Sequence, residues 1–190
     1  MFKYFKENLG TISKLFINHI GMMIFGLVVL ITTRLLSSQL GNSAVFYIMG
    51  TLAILMYFSL LYTAMWERGS QDRLKVEGGR VKENIFHGLY MYLLSSAIGI
   101  FVSTVALVLS FFLTEDFSVI NDIWAVFKFI AHYYNGMYLM ITSISGVHTS
   151  IYLGVVVPGA LVCFVSYILG LKGFKCIFPE SKRDQNKRMQ

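Results

Sequence analysis

Charge is missing where a soluble domain would carry it. No Asp, Glu, Lys or Arg occurs from Leu35 to Trp66, and none from Asn84 to Thr114. Charged residues make up 14% of the chain and apolar residues 56%, whereas a soluble domain is roughly a quarter charged and not above half apolar. The uncharged residues lie in a few long blocks, which excludes an ordinary water-soluble domain and points to a bilayer. Cysteine is scarce as well. Cys163 falls inside an apolar block and Cys176 just beyond it, so neither is placed for an extracellular disulfide. No small-x-small site follows the first apolar block, and no cleavable signal peptide is expected. At 190 residues no separate globular domain is expected beside the membrane domain.

Reactive groups are missing too. The apolar blocks hold no Asp, Glu or Lys in their interiors, and Arg34 stands at an edge. Ion-coupled transporters and proton pumps usually need an ionisable group at membrane depth. No Cys-x-x-Cys, His-Glu-x-x-His or glycine-rich phosphate loop occurs. Ser143, Ser145, Gly146 and His148 offer serine and histidine, but Gly-x-Ser-x-Gly is absent and no carboxylate is placed to orient the histidine. The expectation is therefore a protein that is not an enzyme, with no cofactor and no metal.

What the chain does have is a charged island, residues 67–83, with five bases and four acids in seventeen positions between two uncharged blocks. That is the pattern of a polar turn joining two membrane spans. The net charge of +6 does not imply nucleic acid, because fourteen of the sixteen bases lie in three segments: before the first span, in the island and after the last span. Even-numbered spans put those three segments on one side. The positive-inside rule then assigns both termini and the island to the cytoplasm of a multi-pass plasma-membrane protein facing an anionic inner leaflet. Only Arg34 and Lys128 fall elsewhere.

Four spans are expected, at 15–34, 44–66, 85–113 and 150–171, giving an all-α membrane domain with N-in/C-in topology. Residues 1–14 alternate apolar and basic faces and read as an amphipathic helix on the inner leaflet. Gly41-Asn42-Ser43 reads as a turn. Within the 67–84 loop, Gly69 is expected to end the second span, Ser70 to cap a new short helix and Gly78-Gly79 to stop it. Asp72–Lys75 and Arg73–Glu77 have helix-compatible spacings. Arg68, Asp72, Arg73, Glu77 and Arg80 form a mixed-charge surface fit to dock a partner; a plain solvated connector is the alternative. In the third span, Ser95, Gly99 and Ser103 recur every four residues and line up a small stripe for close helix packing, within the chain or against a second copy. In the outer segment 114–149, residues 120–141 carry an apolar stripe opposite Asn121, Asp122, Lys128, His132 and Asn135. This reads as an interfacial or cavity-facing helix. A fifth span there would carry the basic 172–190 tail outside, against the charge rule. Pro158-Gly159 is expected to kink the last span near its middle.

Lys14, Ile17, His19 and Met23 match Lys82, Ile85, His87 and Met91 at an offset of 68. A parallel repeat would set the two histidines at similar depth, but with nothing matching on either side the echo reads as coincidence. The stretch Lys14–Phe25, which contains Leu-Phe-Ile-Asn-His-Ile-Gly-Met-Met-Ile-Phe, and residues 62–88, with Trp66-Glu67-x-Gly69, Asp72-Arg73, Gly79-Arg80 and His87-Gly88-Leu89, resemble a group of small, uncharacterised polytopic membrane proteins of Clostridia-type bacteria. The terminal Gly170-Leu171-Lys172-Gly173 is similar too. The resemblance implies a bacterial inner-membrane location and no particular activity. Together these readings favour an accessory or scaffold subunit that docks a partner through its cytoplasmic loop. A small transporter or channel component, able to self-associate, is the alternative.

Overall fold

Helices take up nearly every residue described by the computed structural model, which covers 2–40, 44–113, 118–142 and 148–174. The Gly41-Asn42-Ser43 turn, Ser143 to Gly146 and the tail from Lys175 lie outside the described residues. Three stretches are long and apolar enough to cross a membrane: Asn8–Gln39, Ala44–Glu77 and Ile151–Leu171. A bent pair of helices makes a fourth if the two are taken as one span.

Helix α1 (Phe2–Leu40) runs unbroken for 39 residues. The amphipathic segment expected at 1–14 is thus continuous with the first span. The reason is visible in its buried positions, 8, 12, 15, 19, 22, 26, 29 and 33, which alternate steps of four and three. One inward stripe runs the length of the helix and gives the backbone no cause to turn. Helix α2 (Ala44–Glu77) also continues where a break was expected. Gly69 does not end it and Ser70 does not cap a new one, because the inward stripe Tyr57, Leu61, Met65, Gly69, Asp72 carries on into the charged island. Gly78-Gly79 does stop it. Gly79 takes φ +66°, its N–H bonds Val76 O at 2.9 Å, and the Arg80 N–H bonds Lys75 O at 2.9 Å. These two bonds are a Schellman cap, and the left-handed residue suits glycine.

The third apolar block is not one straight span. Helices α3 (His87–Ser95) and α4 (Ala97–Ser110) meet at Ser96 with a 64° bend. The outer segment is likewise divided. Helix α5 (Ser118–Tyr134) ends at a turn on Asn135, a 3-10 turn follows (Gly136–Tyr138), and α6 is short (Leu139–Thr142). The apolar–polar period read through 120–141 therefore breaks at Asn135, which is buried and bonds Ala131 O through Nδ2 at 2.9 Å. Beyond it the chain turns inward, and Met137, Tyr138 and Leu139 join the core. The last apolar block is interrupted at Val155, between α7 (Ile151–Gly154) and α8 (Val156–Leu171). Pro158 lies in the first turn of α8, where it lacks the N–H that would bond residue 154.

Helix α8 packs along α2, α1 along the other side of α2, α3 against α8 and α4 against α5. Leu15, Tyr57, Leu61, Met65, Met91, Met137 and Cys163 are fully buried between them. The outward faces are apolar as well. Ile17, Ile24, Val28, Ile31 and Leu35 are exposed on α1, Val157, Leu161 and Val165 on α8, and Val119, Ile123, Val126 and Ile130 on α5.

Candidate functional site

The charged island is braced from inside by one carboxylate. Asp72 is 8% exposed and is the one buried acid among the described residues. Its Oδ2 accepts Arg68 Nε at 3.1 Å from one turn earlier on α2 and the Tyr167 hydroxyl at 3.2 Å from α8. Its Oδ1 accepts Lys75 Nζ at 3.0 Å. Arg68 reaches on to Asn8 of α1, donating to Oδ1 at 2.7 Å. His87, the first residue of α3, places Nε2 3.1 Å from the same oxygen and 3.7 Å from Asp72 Oδ2. Arg68 can only donate, so Asn8 presents its oxygen, and His87 must carry its proton on Nε2 to share it. Four helices are tied through one buried anion.

Glycines allow the approach. Gly69 of α2 faces the Tyr167 carbonyl and Leu171 backbone of α8, and Gly170 of α8 faces the Trp66 carbonyl and Ser70 amide of α2. A side chain at either position would collide with backbone. Asp72 stands three residues after Gly69 and Tyr167 three before Gly170, so each shares a helix face with its glycine and the crossing aims them at one another. Trp66 Nε1–H closes the same corner by bonding Phe174 O at 2.9 Å.

An open cleft of about 670 Å³ lies over this network. Asn8, Arg68, Asp72, Lys75, His87 and Tyr167 form its floor and Lys82, Glu83 and Asn84 part of its rim. Arg68 and Asp72, expected at a docking surface, instead face inward, with side chains 16% and 11% exposed. Arg73 pairs with Glu77 at 3.3 Å, and its guanidinium lies over Gly173 beyond the end of α8. Glu77 and Arg80 remain outward. Asn8 belongs to the segment expected to lie as an amphipathic helix on the inner leaflet, yet it is 3% exposed. Its signal was its position on the four-and-three stripe.

The other singled-out residues lie elsewhere. Ser95 and Ser103 are buried, and Gly99 lies under the Tyr134 ring of α5, so the small stripe meets this chain's own helix. Gly159 lies against the Tyr92 hydroxyl. His19 is about 16 Å along α1 from Asn8, from its separation of eleven residues. Its Nε2 donates to Tyr134 O at 3.1 Å, which leaves Nδ1 to accept the Tyr57 hydroxyl at 3.0 Å. His19 and His87 therefore occupy different levels and the repeat of halves dissolves. His148 Nδ1 meets Ser150 Oγ at 3.1 Å. No group of three or more His, Cys, Asp or Glu is arranged to hold a metal ion among the described residues.

No protein-family model, curated protein or solved structure matches this chain. Its function is therefore argued from its own geometry. A carboxylate holding an arginine, a lysine and a tyrosine has three of its roughly four acceptor sites engaged within the bundle and reads as a brace under a charged platform.

Proposed function

We propose that this is a multi-pass protein of the plasma membrane, an accessory or scaffold subunit that docks a protein partner on the charged end of α2. The single observation that carries the reading is that α2 does not stop where its uncharged run ends at Trp66. It runs from Glu67 to Glu77 as a braced helix, held to α1, α3 and α8 through Asp72. A plain connector has no need of such bracing, whereas a docking element gains from it because less ordering entropy is lost on binding.

Three features support the membrane setting. Apolar side chains face outward along α1, α5 and α8, far more than a soluble monomer leaves bare. On α1 that face extends from Ile17 to Leu35, about 27 Å, which is close to the hydrocarbon thickness of about 30 Å. The bases cluster at the end that carries Asp72, so this end belongs in the cytoplasm by the charge rule, with both termini beside it and a bacterial inner membrane as the setting. In this arrangement α3 and α4 together make the fourth span, while α5 starts on the outer side and runs inward to the level of His19, whose Nε2 bonds Tyr134 O, instead of lying along the outer surface as the interfacial reading expects.

Tight packing between α1, α2 and the Gly136–Met140 stretch favours docking over transport. The cavity between α1, α2 and the Gly136–Met140 stretch holds about 10 Å³, at the lower limit for a single water. Gly26 and Gly136 meet there backbone to backbone.

The test exchanges two outward charges and leaves the brace alone. Glu77→Lys with Arg80→Glu keeps the net charge, so the inward bias is preserved. We expect the partner that co-purifies from the native membrane at low salt to be lost, with bundle stability changed by less than about 1 kcal/mol, since exposed pairs contribute little. An unchanged co-purification profile from a normally expressed variant would return the island to the role of a connector.

A further inference from the structure

Arg34 and Lys128 are the two bases the charge pattern leaves on the wrong side. They are 94 positions apart in sequence, and the fold brings them to one cleft. That cleft, about 440 Å³, opens between the far end of α1, the middle of α5 and α7, with Trp124, His132 and Tyr152 also on its wall. Lys128 Nζ stands 4.5 Å from the centre of the Trp124 ring, a cation–π distance that fixes the ammonium in place. Among the described residues, buried Trp124 Nε1 has no hydrogen-bond acceptor, no acid lines the cleft, and neither Arg34 nor Lys128 makes an ion pair. Burial, then the positive charges of Arg34 and Lys128, push the His132 imidazole below its ordinary pKa, so the positive field reaches across the cleft.

Two cations line one cleft with no counterion among the described residues. We propose that this cleft binds a phosphate-type anion, gripped by the Arg34 guanidinium and the Lys128 ammonium, with the Trp124 ring holding the ammonium in place beside it. Guanidinium matches phosphate oxygens two at a time, and ammonium adds a point charge. An anion there cancels the repulsion between the two bases, and it lets His132 protonate more readily. Arg34 lies 26 residues beyond Asn8 on α1, about 39 Å along the axis. That is nearly one bilayer with its headgroups, about 40–45 Å. On the membrane reading, which this last step alone rests on, the cleft is level with the outer headgroups. A lipid phosphodiester and a soluble phosphate both present the required chemistry.

The experiment follows indole N–H resonances of the full chain in a neutral maltoside detergent, with the Trp124 signal assigned by Trp124→Phe. Inorganic phosphate, phosphatidylglycerol and phosphate-free diacylglycerol are titrated separately. We expect a saturable shift of the Trp124 signal with phosphate or with phosphatidylglycerol and none with diacylglycerol. Binding should weaken about tenfold or more in Arg34→Gln/Lys128→Gln, the loss expected for charge-assisted hydrogen bonds, while the Trp66 signal stays in place as the folding control. A response to inorganic phosphate identifies a soluble ligand; a response to phosphatidylglycerol alone identifies a headgroup. The proposal is overturned if neither ligand moves the wild-type signal saturably, or if diacylglycerol moves it equally. Should the double variant misfold, the three wild-type titrations decide, together with Lys128→Arg, which keeps the charge and should keep binding.

Discussion

Asp72→Leu should cost the detergent-solubilised bundle about 3 kcal/mol, the scale for breaking a buried ion pair from one side. The substitution strips the acceptor from Arg68, Lys75 and Tyr167 together. Lys75 can turn to water, since its side chain is 42% exposed, whereas Arg68 at 16% is held towards Asn8 and keeps only that neutral partner. The penalty is therefore mostly that of an uncompensated buried guanidinium. Asp72→Asn keeps one acceptor oxygen and should fall between Leu and wild type. Lys75→Ala should cost less than about 1 kcal/mol, as for an exposed pair. Unfolding midpoints in graded denaturing detergent rank the three. An Asp72→Leu midpoint equal to that of Lys75→Ala would mean that the carboxylate is not a brace.

Gly170→Leu should be as damaging, by about 3 kcal/mol, through overpacking rather than charge. The added side chain meets the Trp66 carbonyl and the Ser70 amide, which are helix backbone and have no rotamer to yield. Helix α8 must move off α2, and both the Tyr167–Asp72 and the Trp66–Phe174 hydrogen bonds lengthen with it. The close approach is not recovered from lipid, which packs against a separated helix no better than before. Gly21 supplies the matched control: it lies on α1 with open space around it, so Gly21→Leu should leave the midpoint unchanged. Equal midpoints for Gly170→Leu and Gly21→Leu would show that α2 and α8 do not cross at these glycines.

The apolar helices were legible in the sequence because lack of charge over twenty or more residues is a composition signal that no tertiary context alters. The helix stop at Gly78-Gly79 was legible for a local reason, since a Schellman cap needs only glycine at one left-handed position. Gly69 was misread by the same rule. A glycine that admits a neighbouring helix looks identical in one dimension to a glycine that ends its own, and the difference lies in Gly170, 101 positions away. The bend at Ser96 had no proline or glycine to announce it. Ser95 Oγ bonds back to Tyr92 O at 2.8 Å, and the Ser96 N–H takes the same carbonyl at 2.9 Å; such back-bonding loosens a helix. The spacings Asp72–Lys75 and Arg73–Glu77 both occur as ion pairs. What spacing did not carry was direction. Asp72 faces inward because Tyr167, Asn8 and His87 wait for it and Arg68, and those partners come from three other helices.

Orientation is the claim from which the rest follows: the Asp72 end in the cytoplasm, the beginning of α5 outside, and an even number of crossings. Single cysteines at Gln71, Asp122 and Lys172, all exposed positions, test it in one set of cells, with Cys163 and Cys176 replaced beforehand. An impermeant thiol reagent applied to intact cells should label position 122 and leave 71 and 172 untouched until the membrane is opened. Labelling at 71 with protection at 122 would invert the protein in the bilayer. Labelling at 172 with 71 protected would add a fifth crossing and take the docking end apart.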